Sequence, residues 1–281
     1  MKTFYAKSQM KLSTFLLEEY SGEMSYSAFC KILRKKDIKV DGKRVNKDVV
    51  LIKGQKVDVY FQPRSDYEPY AVVFEDENVL ILDKDKGITS DRLFELLSKK
   101  YSPLYYCHRL DRNTDGIIVF AKNEQAYESL YSGFKHRKFD KTYYALVYGK
   151  FDCLHAVFRA YLYKDSENSV VIISKSKTEG AKEIVTEYTV VSESGDVTAL
   201  LVKPVSGRTH QIRAHLSYLG HFVLGDGKYG NDSISKSFGY DKLQLTSVKI
   251  TFSFDKADYL YYLSGKSFIK RDFSAASYLQ E

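Results

Sequence analysis

Residues 108–116 read His-Arg-Leu-Asp-Arg-Asn-Thr-Asp-Gly, with one carboxylate, Asp111, between Arg109 and Arg112 and the apolar stretch Ile117-Ile118-Val119-Phe120 just beyond. Nearby opposite charge favours the ionised form of a carboxyl group. Gly116 marks a turn that would present Asp111 at the start of a strand. A carboxylate held in this way can serve as a nucleophile or as an anion that stabilises a developing cation, and the residues leave both open. By residue types alone, a charged loop before a strand is more often solvated surface than an active site.

A second cluster lies in Lys203-Pro204-Val205-Ser206-Gly207-Arg208-Thr209-His210-Gln211-Ile212-Arg213-Ala214-His215-Leu216. Its spacing predicts a helix starting at Thr209, with Ile212, Leu216 and Leu219 buried and Arg213 on the adjacent face, one turn from His210. His210 and His215 have no carboxylate or third histidine at ligand spacing, so both are expected to be hydrogen-bonded structural histidines, and no metal is expected. The third cluster, Lys141-Thr142-Tyr143-Tyr144-Ala145-Leu146-Val147-Tyr148-Gly149, reads as a strand. In a chain with 24 tyrosines, Tyr143 by itself would pass for a core aromatic.

The elements that must position these residues follow from periodicity and turn chemistry. Leu12–Tyr20 reads as a helix with Leu12, Phe15 and Leu16 on one face, and Tyr26–Lys35 suggests a second. Ile38–Val40, the turn Asp41-Gly42 and β-rich stretches at Val49–Ile52 and Lys56–Tyr60 complete a small αβ module over 1–62. Pro63 to Pro69 is a plausible linker, which leaves a large domain over 70–265 and a tail over 266–281. In the large domain Ala71–Phe74 and Val79–Leu82 form a hairpin, and Ser90 or Asp91 caps a helix running to Lys100. Further strands are expected at 119–121, 143–148, 170–173, 187–191, 199–202 and 248–254, with a helix near 124–134.

Composition narrows the class of partner. The 281 residues are 44% hydrophobic, ordinary for a globular protein, and no apolar run reaches the length of a membrane span. Met1 to Met10 lacks the apolar segment of a signal peptide, so a cytoplasmic location is expected. Cys30, Cys107 and Cys153 suggest neither a disulfide framework nor a paired-cysteine zinc site, and Cys107 is expected only to pack. Residues 31–56 carry ten basic residues (Lys31, Arg34, Lys35, Lys36, Lys39, Lys43, Arg44, Lys47, Lys53, Lys56) against three acidic ones, a surplus equal to the whole chain's net charge of +7. Attraction for a polyanion such as RNA is therefore concentrated in one small region, with Lys35, Lys36 and Lys39 as candidate contacts.

The three clusters, in their order along the chain, resemble the signatures of the RluA-type pseudouridine synthases. The first matches that family's His-Arg-Leu-Asp, two variable residues, Thr-Ser-Gly, with Asp115 where the family usually has Ser. The Lys141–Gly149 strand resembles its Lys, x, Tyr, x, Ala, x, Val, x, Gly, and Gly207–Leu216 its Gly-Arg-Thr-His-Gln-Ile-Arg, x, His-Leu. Gly220 to Asp226 followed by Tyr229-Gly230 continues the likeness, which runs from about residue 70 to 255. Two further departures are Asp83-Lys84-Asp85-Lys86-Gly87 in place of Asn-Lys-Pro, x, Gly, and Thr246-Ser247 in place of His-Ala.

The resemblance implies an enzyme that isomerises uridine to pseudouridine in RNA without metal or redox cofactor. It assigns catalysis to Asp111, gives Arg213 as its partner, and makes Tyr143 a base-stacking residue and candidate proton acceptor. Arg109 would help hold the base out, and Arg208 would support the turn or a phosphate. It also implies an α+β catalytic domain with a mixed, mainly antiparallel sheet flanked by helices. Lys31, Ile32, Leu33 and Arg34, then Ile38, Val40, Gly42 and Gly54-Gln55-Lys56-Val57, resemble a small S-four-like RNA-binding domain. Enzymes that join the two commonly act on large-subunit ribosomal RNA. Transfer RNA is the nearest alternative substrate, and a non-catalytic RNA-binding assembly factor the alternative of another class.

Overall fold

The apolar face of Leu12, Phe15 and Leu16 forms a helix because it can be buried against Phe29, Ile32 and Leu33 of the next helix and against Ile38 and Val57 of a sheet. These residues are the core of the first of two compact units, Met1–Pro69 and Tyr70–Glu281, in a computed structural model that describes residues 1–20, 24, 26–61, 68–165 and 170–273. Residues 63–67 of the expected linker and 274–281 of the expected tail lie outside the described residues.

The first unit contains β1 (Lys2–Tyr5), β2 (Met10–Lys11), α1 (Leu12–Glu19), α2 (Tyr26–Arg34), β3 (Ile38–Val40), β4 (Lys43–Arg44), β5 (Val50–Leu51) and β6 (Lys56–Val59). Its sheet runs in the order β1-β6-β3-β4, and β2 pairs with β5. Strand β1 was not legible in the sequence because only Phe4 of its four side chains turns inward; pairing with β6, Lys2 opposite Val59 through Tyr5 opposite Lys56, holds it in place. Helix α2 ends at Arg34, and Lys36, with a φ of 57°, turns the chain toward β3. Lys35 and Lys36 are exposed at this corner, and the Lys39 ammonium lies 5.4 Å from the Tyr60 ring centre.

The second unit contains β7 (Tyr70–Glu75), β8 (Val79–Lys84), α3 (Ser90–Leu97), β9 (Tyr105–Tyr106), β10 (Asp115–Ala121), α4 (Glu124–Lys135), β11 (Asp140–Tyr148), β12 (His155–Asp165), β13 (Val170–Ser174), β14 (Lys182–Ser194), β15 (Val197–Pro204), α5 (Gln211–Tyr218), α6 (Asp232–Ser237), β16 (Leu245–Thr251) and β17 (Ser267–Ile269). Its sheet has the order β13-β12-β14-β15-β11-β16-β10-β8-β7, with β9 added to β10 and β17 to β16. The β10–β16 pair is parallel and the others are antiparallel, so the expected α+β class with a mixed, mainly antiparallel sheet is the one found. Strands β8 and β10 are buried on both faces. Val79, Ile81, Ile117 and Val119 pack toward Ala126 and Leu130 of α4, while Leu80, Leu82, Ile118 and Phe120 pack toward Leu93 and Leu97 of α3. Burial on both faces is why these segments read as unbroken apolar runs.

Several boundaries differ from expectation for local reasons. Helix α3 is capped by Thr89, whose side chain accepts from the Arg92 amide at 3.1 Å, rather than by Ser90 or Asp91. The strand expected at 248–254 runs Leu245–Thr251, and residues 267–269 of the expected tail form β17 against it. Strand β12 and helix α6 were not anticipated; β12 alternates half-buried with exposed positions along most of its length, which weakens its apolar signal. Cys107 packs as expected, partly buried beside the core between β10 and α4.

Candidate active site

The site forms where three neighbouring strands meet in register. Ser247 of β16 stands opposite Gly116 of β10 on one side and Tyr143 of β11 on the other. A register shift between Thr142 and Tyr143 gives β16 one extra residue at this row. Bulges of this kind re-aim side chains beside active sites. Gly116 is obligatory here: its φ is 107°, and a Cβ would lie 2.0 Å from the Ser247 carbonyl oxygen.

The loop carrying Asp111 precedes β10 and is clamped from beneath. The Ser90 hydroxyl donates to the Leu110 carbonyl and accepts from the Leu110 amide, both at 2.9 Å. The Thr114 amide donates to the Asp111 carbonyl at 3.1 Å, and the Gly87 amide to the Arg112 carbonyl at 2.8 Å. Buried Lys84 donates to the carbonyls of Asp85 and Ile88, both at 3.0 Å, and burial pulls its ammonium down to about 8. His108 accepts from the Val119 amide at 2.9 Å through Nε2 and stacks on Phe134 with ring centres 4.3 Å apart. Burial, then the charge of Lys141, lowers its imidazole to about 3, so it is neutral at pH 7 and serves as a wedge under the loop.

The departures from the expected motifs meet in one place. Asp115 accepts from the Thr246 hydroxyl at 2.8 Å, and Lys270 donates to both oxygens of Asp83 at 2.6 and 2.7 Å while standing 3.6 Å from Asp115. Residues differing from the usual pattern are thus joined by hydrogen bonds and ion pairs behind the loop.

Helix α5 brings the second cluster. It begins at Gln211, two residues later than expected, because Gly207 and His210 both adopt positive φ, 58° and 53°. Gln211 is buried and holds this turn: its carbonyl oxygen accepts from the Ser206 hydroxyl at 2.7 Å and the Arg208 amide at 2.9 Å, and its amide donates to the Val185 carbonyl at 2.9 Å. The later start swings His210 off the helix face, so that Nε2 lies 3.6 Å from the Asp111 carboxylate while Nδ1 meets the Tyr229 hydroxyl at 2.8 Å. His215 is buried against the Thr186 hydroxyl at 2.9 Å. Among the described residues no group of three or more His, Cys, Asp or Glu side chains is placed to hold a metal ion.

Arg213 projects from the first turn of α5. Its Nε and Nη2 donate to the two oxygens of fully buried Asp226, each at 2.7 Å, and Nη1 donates to Asp111 at 3.0 Å. The planar fork grips one carboxylate with two bonds and offers its remaining edge to another. Burial alone would lower the guanidinium pKa, but the hydrogen bonds and charge of Asp226, then of Asp111, outweigh it and the net shift is upward. Asp226 is lowered in turn, because Arg213 and the amides of Lys228 and Tyr229 outweigh its burial.

Asp111, Tyr143, Arg213, Arg109 and Arg208 line a single cavity of about 270 Å³, together with His210, Lys141, Arg137 and Phe134. Burial, followed by the charge of Asp111, pushes the Tyr143 hydroxyl up to about 12 against a hydrogen bond with Ser247, so the phenol keeps its proton at neutral pH. Lys35, Lys36 and Lys39 belong to the other unit. Sequence reading gave no role to Asp226 or Lys141 and made His210 a hydrogen-bonded structural histidine rather than a neighbour of Asp111. The Gly225-Asp226 pair held a signal for the first, but the other two depend on where the Gly207 turn places them.

Residues 69–218 match the RNA pseudouridylate synthase family. The chain belongs to that family. It is similar to "Ribosomal large subunit pseudouridine synthase C" of Vibrio cholerae, 31% identical over 255 residues covering 80% of each chain. "Dual-specificity RNA pseudouridine synthase RluA" of Vibrio vulnificus is 30% identical over 202 residues, covering 67% of this chain and 80% of that one. Among solved structures, "Human RNA Pseudouridylate Synthase Domain Containing 1" superposes with a TM-score of 0.61 at 28% identity, covering 69% of this chain and 82% of that one. The chain is therefore an RNA pseudouridine synthase of the RluA type, an isomerase acting on uridine in RNA.

Proposed function

We propose that this synthase modifies uridine in large-subunit ribosomal RNA and that Asp111 carries the chemistry. The observation behind the second part is the Arg213 fork, which holds the Asp111 carboxylate at 3.0 Å in the wall of a cavity shared with Tyr143. The reaction breaks the bond between uracil N1 and the ribose anomeric carbon, turns the base, and joins C5 to that carbon, with the C5 proton leaving and N1 gaining one. A carboxylate beside the anomeric carbon serves either as nucleophile or as counter-charge to an oxocarbenium-like species.

Tyr143 gives the extruded uracil a surface to stack on, which offsets part of the few kcal/mol needed to unstack it. Its protonated hydroxyl suits hydrogen-bond donation to the base in the resting site. Arg109, exposed at the cavity, is suited to hold the base out, and the Arg208 guanidinium to meet a phosphate while its backbone supports the turn. Residues 1–62 act as an S-four-like RNA-binding domain through Lys35, Lys36 and Lys39, joined to the catalytic domain by 63–69. The name shared by the ribosomal relatives supports the substrate, and the reading places the enzyme in the cytoplasm.

The test is carbodiimide-based pseudouridine mapping of total RNA from cells lacking the gene, complemented with wild type or Asp111→Asn. One or more large-subunit sites restored by wild type alone are expected. A restored site in transfer RNA would overturn the substrate, restoration by Asp111→Asn would overturn the role of Asp111, and no altered site would favour a binding factor.

A further inference from the structure

Lys141 is the second residue of strand β11, two before Tyr143, so both side chains fall on the same face of the strand and both line the cavity. Its ammonium lies 2.7 Å from where a Cβ on Gly207 would stand and 6.0 Å from the Phe134 ring centre. The side chain is largely buried, yet among the described residues its ammonium has no hydrogen bond or ion pair. A buried charge without a partner is costly.

The surroundings increase that cost. Arg137, held at a φ of 58° just past the end of α4, lines the same cavity, and its charge adds to the effect of burial in lowering the Lys141 pKa. Arg208 also lines the cavity. The carboxylate there, Asp111, already accepts from Arg213. Among the described residues Lys141, Arg137 and Arg208, like Arg109, line this cavity without a carboxylate of their own, and a neutral uracil carbonyl would not offset their mutual repulsion.

We infer that Lys141, flanked by Arg137 and Arg208, forms an anion subsite that binds a backbone phosphate adjoining the target uridine and so positions the anomeric carbon at Asp111. The inference rests on the reading of this cavity as the uridine site. The phosphate would supply the missing partner, and the charge-assisted bonds would form only when the correct strand is seated.

The test is a cycle between protein and substrate. Wild type, Lys141→Met and Lys141→Arg are assayed on a short RNA carrying the mapped uridine, with natural phosphates or with a neutral methylphosphonate on the 5′ or the 3′ side of that uridine. Wild type should lose roughly ten- to a hundredfold in kcat/KM when one of the two phosphates is neutralised. Lys141→Met should show a comparable loss on natural RNA and little further loss on the neutral one, and Lys141→Arg should recover sensitivity to the same phosphate. The wild-type comparison does not depend on how well a variant folds. Losses that multiply at both phosphates, or a wild type indifferent to both, would overturn the subsite while leaving the uridine site intact. A wild type inactive on natural RNA would overturn the site reading and this inference with it.

Discussion

Arg213 joins two carboxylates through one guanidinium, and the inequality between them defines the site. Asp226 has no exposed side-chain surface and takes two of the donors, whereas Asp111 faces the cavity and takes one. A lysine could supply charge to Asp111 but not a fixed direction, because its ammonium lacks the planar fork. Asp226→Ala should leave a buried guanidinium without its main partner and cost about 3–5 kcal/mol in urea unfolding. Surviving protein should also show reduced kcat, since Arg213 would be free to turn from Asp111. A loss below about 1 kcal/mol would mean that water replaces Asp226 and that the fork is not what holds Arg213.

At the scale of elements, the site depends on the row Gly116, Ser247, Tyr143 across β10, β16 and β11. Strand β16 is drawn in against β10 so closely that no side chain fits at Gly116. Gly116→Ala should separate the parallel pair, displacing the Asp111 loop on one side and Tyr143 on the other, with kcat falling at least tenfold and the thermal midpoint falling too. Gly54→Ala is the matched control. It has a φ of 91° but nothing within 4 Å of its Cβ, so it reports backbone strain alone. Equal effects of the two substitutions would show that contact with Ser247 contributes nothing. That the 108–116 run ends on glycine was legible in the sequence; the need for glycine was not, because the atom it avoids is 131 residues away.

At the scale of the whole molecule, the cavity and the surplus of positive charge are separated along the chain. The cavity belongs to the second unit, while residues 31–56, which carry a surplus equal to the whole net charge, belong to the first. Neutralising Lys35, Lys36 and Lys39 together should weaken binding to a ribosomal RNA fragment. For each lysine that meets a phosphate, the dependence of log affinity on log salt should flatten by about one unit, as read by fluorescence anisotropy over a salt series. An unchanged slope would remove these lysines from the interface. Turnover at saturating RNA should be altered little, because none of the three lines the cavity.

The sequence by itself determined the family and the reaction, and it pointed to the residues proposed to carry the chemistry, because Asp111, Tyr143 and Arg213 sit in short local runs whose order is a property of the chain. The resemblance those runs carry implied the class of fold as well, and buried strands such as β8 and β10 were legible as continuous apolar stretches. Only the tertiary structure decided which groups share a cavity and which carboxylate stands at its wall. Whether a carboxylate is buried and paired or held at a cavity wall depends on contacts between distant segments, and Arg213 reaches Asp111 across 102 positions of chain. That the Lys141 ammonium has no hydrogen bond or ion pair among the described residues is likewise a property of the assembled cavity, where the Gly207 turn and the end of α4 bring cations together.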